Sequence, residues 1–305
     1  MNEQDRPALV PVTDGVFAWV PPNGGRWVEN AGAVVTPDGA ILIDTGNTEP
    51  YAQGLLWAVA HATSGAPVRY AVNTHGHSCA NSLLPEHAVI IGHRAGRAGR
   101  QAGLVADECS PAVMSAPDEG TEAGRPPTLT ISTGLTLHHG DREVEVLHPG
   151  YPAHTPGDLA AWLPRQGVLF TGGLLVNQVT PVAYQGSVEG SLRALDWIAG
   201  FAPDHVVPGH GPLIDSSGLP GVLDAQRRYF QFVLDTAQAG VRDGLSPFEA
   251  ASRCDLGAFA HLPEAQRIVL NLHRAYADIV SSPFDLTQAV SDTVGYNSSP
   301  LHAVS

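Results

Sequence analysis

Three times this chain leaves a short apolar run and turns at once through a histidine set beside glycine or proline. Val68 to Val72 leads into Asn73-Thr74-His75-Gly76-His77-Ser78-Cys79-Ala80-Asn81, and further apolar runs precede Ala153-His154-Thr155-Pro156-Gly157-Asp158 and Pro208-Gly209-His210-Gly211. Such runs, bounded by turn residues, read as strands. Three loops of this kind can converge at one end of a sheet, where ligands of α/β folds bind. A lone His-x-His is commonly two exposed side chains. Here Gly76 breaks the extended period, so the imidazoles of His75 and His77 can turn toward one point, and neutral imidazole suits zinc and similar metals.

The pattern around these loops is a repeated one. Leu9–Val12, Gly15–Val20, Trp27–Val35 and Ala40–Ile43 read as a β-meander ending at Asp44-Thr45-Gly46. Leu55, Leu56, Val59 and Ala60 stand at helical spacing, so a helix over Tyr51–Ser64 packs back on the sheet before the strand Val68–Val72. Ala88–Ile91 is a further strand, Arg94–Ala106 a helix, and 107–127 a long loop rich in proline and glycine. From Thr128 the arrangement recurs: strands at Thr128–Ser132, Leu135–His138, Glu143–His148, Ala160–Leu163 and Val168–Thr171, a helix at Ser187–Gly200, and a strand at Asp204–Val207. Two such halves predict an αββα sandwich. Residues 221–240 and 263–281 read as two more helices, and 283–305 as a polar stretch that is loose or lies over the surface. The expected organisation is one domain over 1–305, with its core at about 9–215 and C-terminal helices at about 219–282. His93 and His148 read as structural, and His138 and His139 as solvated turn residues.

Composition narrows the partners. With 305 residues, 43% hydrophobic and 15% charged, the chain can bury a large core. A formal charge of −14 argues against nucleic acid and anionic membranes, which need clustered cations. All sixteen cations are arginine, which fits codon bias in a GC-rich bacterial genome. The first residues lack the basic and apolar regions of a secretory signal, and no apolar stretch approaches the roughly 18 residues that cross a bilayer, so a cytoplasmic protein is expected. Three well-separated cysteines, Cys79, Cys109 and Cys254, fit reduced thiols.

Taken in order, Ile41-Leu42-Ile43-Asp44-Thr45-Gly46, Asn73-Thr74-His75-Gly76-His77, His154-Thr155-Pro156-Gly157-Asp158, Leu169-Phe170-Thr171-Gly172-Gly173 and Pro208-Gly209-His210-Gly211 resemble the metallo-β-lactamase-fold superfamily, over roughly residues 12–215. The resemblance implies an αββα metallo-β-lactamase-like sandwich with a C-terminal helical extension. It implies a first metal held by His75, His77 and His154, with Asp44 supporting the metal loop from behind. It also shows departures. Cys79 and Ala80 stand where the family's first motif has aspartate and histidine, and Gly173 where it has a bridging aspartate; of the second metal's ligands only His210 remains. Two dications without those carboxylates would repel each other strongly, so one zinc per chain is expected, with Cys79 an open question as a further ligand. His210 and Asp158 are the candidate catalytic residues. His210 is either a general acid or base near neutral pH or a loop-holding hydrogen-bonder, and Asp158 is expected to face its own loop and orient a ligand.

A Lewis acid without an aspartate to position water suits aldol-type ring closure on a poly-β-ketone. The chain, including Ile268 to Tyr276, resembles the branch that holds second-ring cyclases and thioesterases of actinorhodin-type aromatic polyketide pathways. That implies a cyclase, with thioester hydrolysis as an accompanying reaction, acting on a small molecule that an acyl carrier protein could deliver. The alternatives are a general metal-dependent hydrolase of esters, thioesters or lactones, and a non-catalytic binding protein. A homodimer is the default assembly.

Overall fold

The computed structural model describes residues 8–21, 29–46, 48–63, 65–76, 80–101, 114–115, 124–297 and 301–302. Strands β1 (Ala8–Thr13), β2 (Val16–Val20), β3 (Ala31–Thr36) and β4 (Gly39–Ile43) form an antiparallel meander. The β1–β2 turn passes through Gly15 at φ +67°, a left-handed conformation that favours glycine. Helix α1 (Glu49–Ala62) then crosses back so that β5 (Val68–Val72) joins β4 in parallel. It starts where the Thr48 hydroxyl accepts the Tyr51 N–H and Pro50 opens the first turn. Strand β6 (Val89–His93) and helix α2 (Arg94–Gln101) follow, then the two-residue β7 (Met114–Ser115), and β8 (Leu129–Ile131) closes the sheet beside β6.

The second sheet repeats this plan with β9 (Gly134–His139), β10 (Arg142–Leu147), β11 (Ala160–Leu163) and β12 (Val168–Val176) antiparallel. Helix α3 (Val188–Ala199), capped by Ser187, carries the chain over to β13 (His205–His210), parallel to β12, and β14 (Ile214–Asp215) forms the edge. Val16, Val34, Ile41, Val72 and Ile91 of the first sheet meet Val144, Val146, Leu163, Phe170 and Val207 of the second in one buried core. The sheets approach so closely that a Cβ on Gly32 would lie 2.1 Å from Phe170 Cε1. On the outer faces, Leu55 and Val59 of α1 cover Leu42 and Ile90, and Ala194, Leu195 and Ile198 of α3 cover Leu169 and Val206. Each fully buried Leu or Ile in these layers contributes about 1.5–3 kcal/mol. The αββα sandwich expected from the sequence is the fold observed.

The C-terminal helices α4 (Leu219–Arg242), α5 (Pro247–Arg253) and α6 (Ile268–Ile279) share a core of Tyr229, Phe230, Val233, Ile268, Val269 and Leu272. Polar residues 286–297 form a further helix, α7 (Leu286–Asn297), so of the two expectations for this stretch it lies over the surface rather than loose. Its polar composition hides a one-turn repeat: Ala289 and Thr293 are fully buried, and Leu286 and Val290 pack near Tyr184 and Leu270. The short β15 (Leu301–His302) pairs in parallel with β7. Among the described residues no helix is long and apolar enough to cross a membrane.

Candidate functional site

The first histidine loop is fixed from beneath by Asp44. This residue ends β4 at φ +58°, a left-handed backbone that costs a non-glycine residue about 1 kcal/mol. There its carboxylate, 2% exposed, accepts the Thr74 N–H at 2.8 Å and the Thr74 hydroxyl at 2.7 Å. Having donated its one proton to Asp44, the Thr74 hydroxyl accepts from Nδ1–H of His75 at 2.9 Å. That relay sets the His75 tautomer and places the ring's lone pair on Nε2. The loop's two ends are tied by Asn81, fully buried, whose amide donates to Asn73 Oδ1 at 2.8 Å and to the Arg125 carbonyl at 2.9 Å. Asp44 thus supports the loop as the resemblance implied.

The second histidine sits in the β10–β11 connection. Asp158, 1% exposed, accepts the Thr155 N–H with both carboxylate oxygens, at 3.0 and 2.9 Å, and the Thr155 hydroxyl at 2.6 Å. It locks its own loop, as expected. Leu159 N–H donates to the Thr74 carbonyl at 2.6 Å and joins this loop to the first. His154 donates Nδ1–H to the Val182 carbonyl at 2.7 Å, which again leaves the lone pair on Nε2. The His75 and His154 rings stand edge to face, their centroids 4.9 Å apart.

The place of the missing aspartate is filled. A Cβ on Gly173 would lie 2.2 Å from Cδ2 and 2.5 Å from Nε2 of His154, so the imidazole rests on bare backbone. Gly209 is packed as tightly, since its Cβ would lie 2.5 Å from the Gly172 carbonyl oxygen. The β13 end carrying His210 therefore lies against Gly172–Gly173. Asn30 holds it there: its N–H donates to the Gly209 carbonyl, and its amide Nδ2 donates to the carbonyls of Pro208 and Gly211, each at 2.8 Å. His210 itself is half-buried at this sheet end. His77 and Cys79 lie outside the described residues.

His75 and His154 carry Nε2 lone pairs on neighbouring rings, a donor chemistry that suits zinc. Among the described residues the one set of three ligand atoms lying within 4.8 Å of one another is Glu29, Asp44 and His75, all buried and sharing His75 with that pair. Glu29, from the segment before β3, is a residue the sequence reading missed; a buried carboxylate next to Asn30 carries no local signature. Both Asp44 oxygens already serve Thr74. For a second metal the fit fails among the described residues, because Ala80 and Gly173 offer no donor. Tyr51, whose hydroxyl donates to the Glu29 carbonyl, has its pKa pushed well up by burial and then by the Glu29 and Asp44 charges, so it stays neutral.

Two further histidines, His93 and His148, support the loops. His93 accepts the Ala95 N–H on Nδ1 at 3.2 Å, donates Nε2–H to the Ser132 carbonyl at 3.2 Å, and stacks on His148 at 4.3 Å. Burial and the neighbouring His148 push its pKa down, with Arg94 adding slightly, against the pull of the Ser132 carbonyl. His148 donates Nδ1–H to the Asp158 carbonyl at 2.8 Å. Both are structural, as expected. His138 is solvated, but His139 is half-buried and meets Tyr70 edge-on at 5.5 Å, because both histidines belong to β9 rather than to a turn.

A family model described as the metallo-beta-lactamase superfamily matches residues 24–210. No curated protein matches the chain. A metallo-beta-lactamase from Pontibacter korlensis superposes with a TM-score of 0.58 at 21% identity, covering 74% of this chain and 99% of that one. The inverting sec-alkylsulfatase Pisa1 from Pseudomonas sp. gives 0.65 at 18% identity over 92% of this chain, which spans 51% of the sulfatase. The mono-zinc form of the metallo-beta-lactamase FIM-1 from Pseudomonas aeruginosa gives 0.57 at 18% identity, over 75% of this chain and 96% of its own. At these identities the structural likeness speaks for the fold alone.

Proposed function

Because the chain belongs to the metallo-beta-lactamase superfamily, we propose that it is an enzyme using one metal ion per chain to act on a carbonyl substrate, an ester or thioester. The observation that carries the one-ion reading is the contact of His154 with Gly173, which leaves neither a carboxylate nor the space for one at that position. His75, His154 and, from the sequence, His77 would hold the ion, and three neutral imidazoles suit zinc. When bound, the ion supplies a Lewis acid that polarises the carbonyl oxygen.

The chain's own residues do the rest. The Asp44–Thr74 relay and the Val182 carbonyl hold the two imidazoles in the tautomer that ligates. Asp158 acts through its Thr155 clamp, as a positioning residue for His154. His210, at the same sheet end, would be the group that takes or gives a proton. Glycine at 173 and cysteine at 79 supply no carboxylate to orient an attacking water, and this favours a second reading, ring closure on a poly-β-ketone thioester. There a base removes the proton between two carbonyls, the carbon attacks a third, and water leaves.

Metal analysis tests the common premise. Purified protein should hold close to one zinc per chain and His154→Ala should lose it, whereas two equivalents would refute the one-ion reading. Incubation with a poly-β-ketone thioester long enough to form a six-membered ring then separates the reactions: release of free thiol marks hydrolysis, and a dehydrated ring marks closure.

A further inference from the structure

Helix α6 opens with the apolar run Ile268-Val269-Leu270, and Asn271 interrupts it before Leu272. The Asn271 side chain is fully buried, where a leucine would serve the core as well and the amide must find partners. It finds two of them on one short segment and a third on Tyr229. Oδ1 accepts the Ala183 N–H at 2.9 Å, and Nδ2 donates to the Pro181 carbonyl at 2.9 Å and to the Tyr229 hydroxyl at 3.0 Å. One amide therefore grips the chain immediately before and immediately after Val182. Arg267, also buried, adds a bond to the Thr180 carbonyl at 2.9 Å. The Val182 carbonyl between these anchors is the one that accepts Nδ1–H of His154.

We propose that Asn271 is a positioning residue for His154, fixing the Val182 carbonyl so that the imidazole keeps its proton on Nδ1 and its lone pair on Nε2. The C-terminal helices, outside the residues 24–210 matched by the family model, thereby reach the metal centre through a single peptide. A carbonyl free to turn would let the ring rotate or exchange tautomers, and residues that orient a metal-ligating histidine are typically worth about 10–100-fold in metal affinity. The proposal rests on His154 as a metal ligand.

The test compares wild type, Asn271→Leu, His154→Ala and a control, Leu272→Ala, which opens the same helical core without removing a hydrogen bond to 181–183. Two readouts are used: Zn2+ titration against a chelating dye, and the ring 15N shifts of His154 in metal-free protein. Asn271→Leu should weaken Zn2+ binding about 10–100-fold and move the His154 shifts away from the Nδ1–H tautomer. Leu272→Ala should lower the melting temperature and leave both readouts unchanged. Should Asn271→Leu not fold, Asn271→Ser, small and polar, is read the same way. Wild-type Zn2+ affinity and an unaltered His154 tautomer in the Asn271 variant, with binding lost in His154→Ala, would overturn the positioning role alone. Unchanged Zn2+ binding in His154→Ala would instead remove His154 from the metal site.

Discussion

A methyl group on Gly173 would lie 2.2 Å from Cδ2 of His154, so any side chain there must push the imidazole off the sheet. Gly173→Asp, the change that would rebuild the family's bridging carboxylate, should not restore a second ion; it should lower Zn2+ affinity at least tenfold, measured by dye competition. His93 gives a second expectation at this scale. Its folded pKa lies below the ordinary 6.5 because burial disfavours the cation, so the unfolded chain takes up the proton first as pH falls. The stability His93 contributes is therefore fully present above about pH 6.5 and lost on acidification toward the folded pKa. The melting temperature should drop between pH 7.5 and 5, and His93→Gln should flatten that drop. The sequence already showed the histidines and the glycine at 173, since each stands in a motif of fixed order. It showed nothing of Glu29, Asn30 or Asn271 as site residues, because their partners lie far away in the chain; only the break in the apolar phase of α6 marked Asn271 as unusual.

Strands that are continuous apolar runs were legible at their starts: Ala40–Ile43 was expected and Gly39–Ile43 is found, and Val168–Thr171 was expected where β12 runs on to Val176. The extension runs through Gly172 and Gly173, which let β12 continue with an irregular register against β13. Helix α7 was missed because its few buried side chains are diluted by polar ones. The end of β13 leans on Asn30, a side chain from before β3. Removing the Asn30 amide leaves the Pro208 and Gly211 carbonyls buried without that donor, so Asn30→Ala should cost about 2–4 kcal/mol in urea unfolding. Loss of stability with normal activity in the surviving folded fraction would mean that His210 does not need this support.

The whole molecule joins a sandwich to a helical cap by polar pins as well as apolar packing. Gln226 of α4, 4% exposed, accepts the Val176 N–H and donates to the Leu174 carbonyl, bonding a helix to a strand. We infer from this pin and from Asn271 that cap and sandwich unfold as one unit. All five tryptophans precede residue 200, so fluorescence follows the sandwich while ellipticity at 222 nm weights the helices. The two urea curves should coincide, and separated midpoints would show two units. The long span of the Asn271 contact also sets an order of events. Asn271 lies 88 residues beyond Ala183, a stretch that takes a ribosome roughly 4–18 s at about 5–20 residues per second. For those seconds a nascent chain already carries His75, His77 and His154 while the Val182 carbonyl beside His154 has no clamp. If the proposed metal site is right, an ion met during synthesis would find a softer, less selective site than the finished one, and faithful loading would belong to the moments after the last helices have docked.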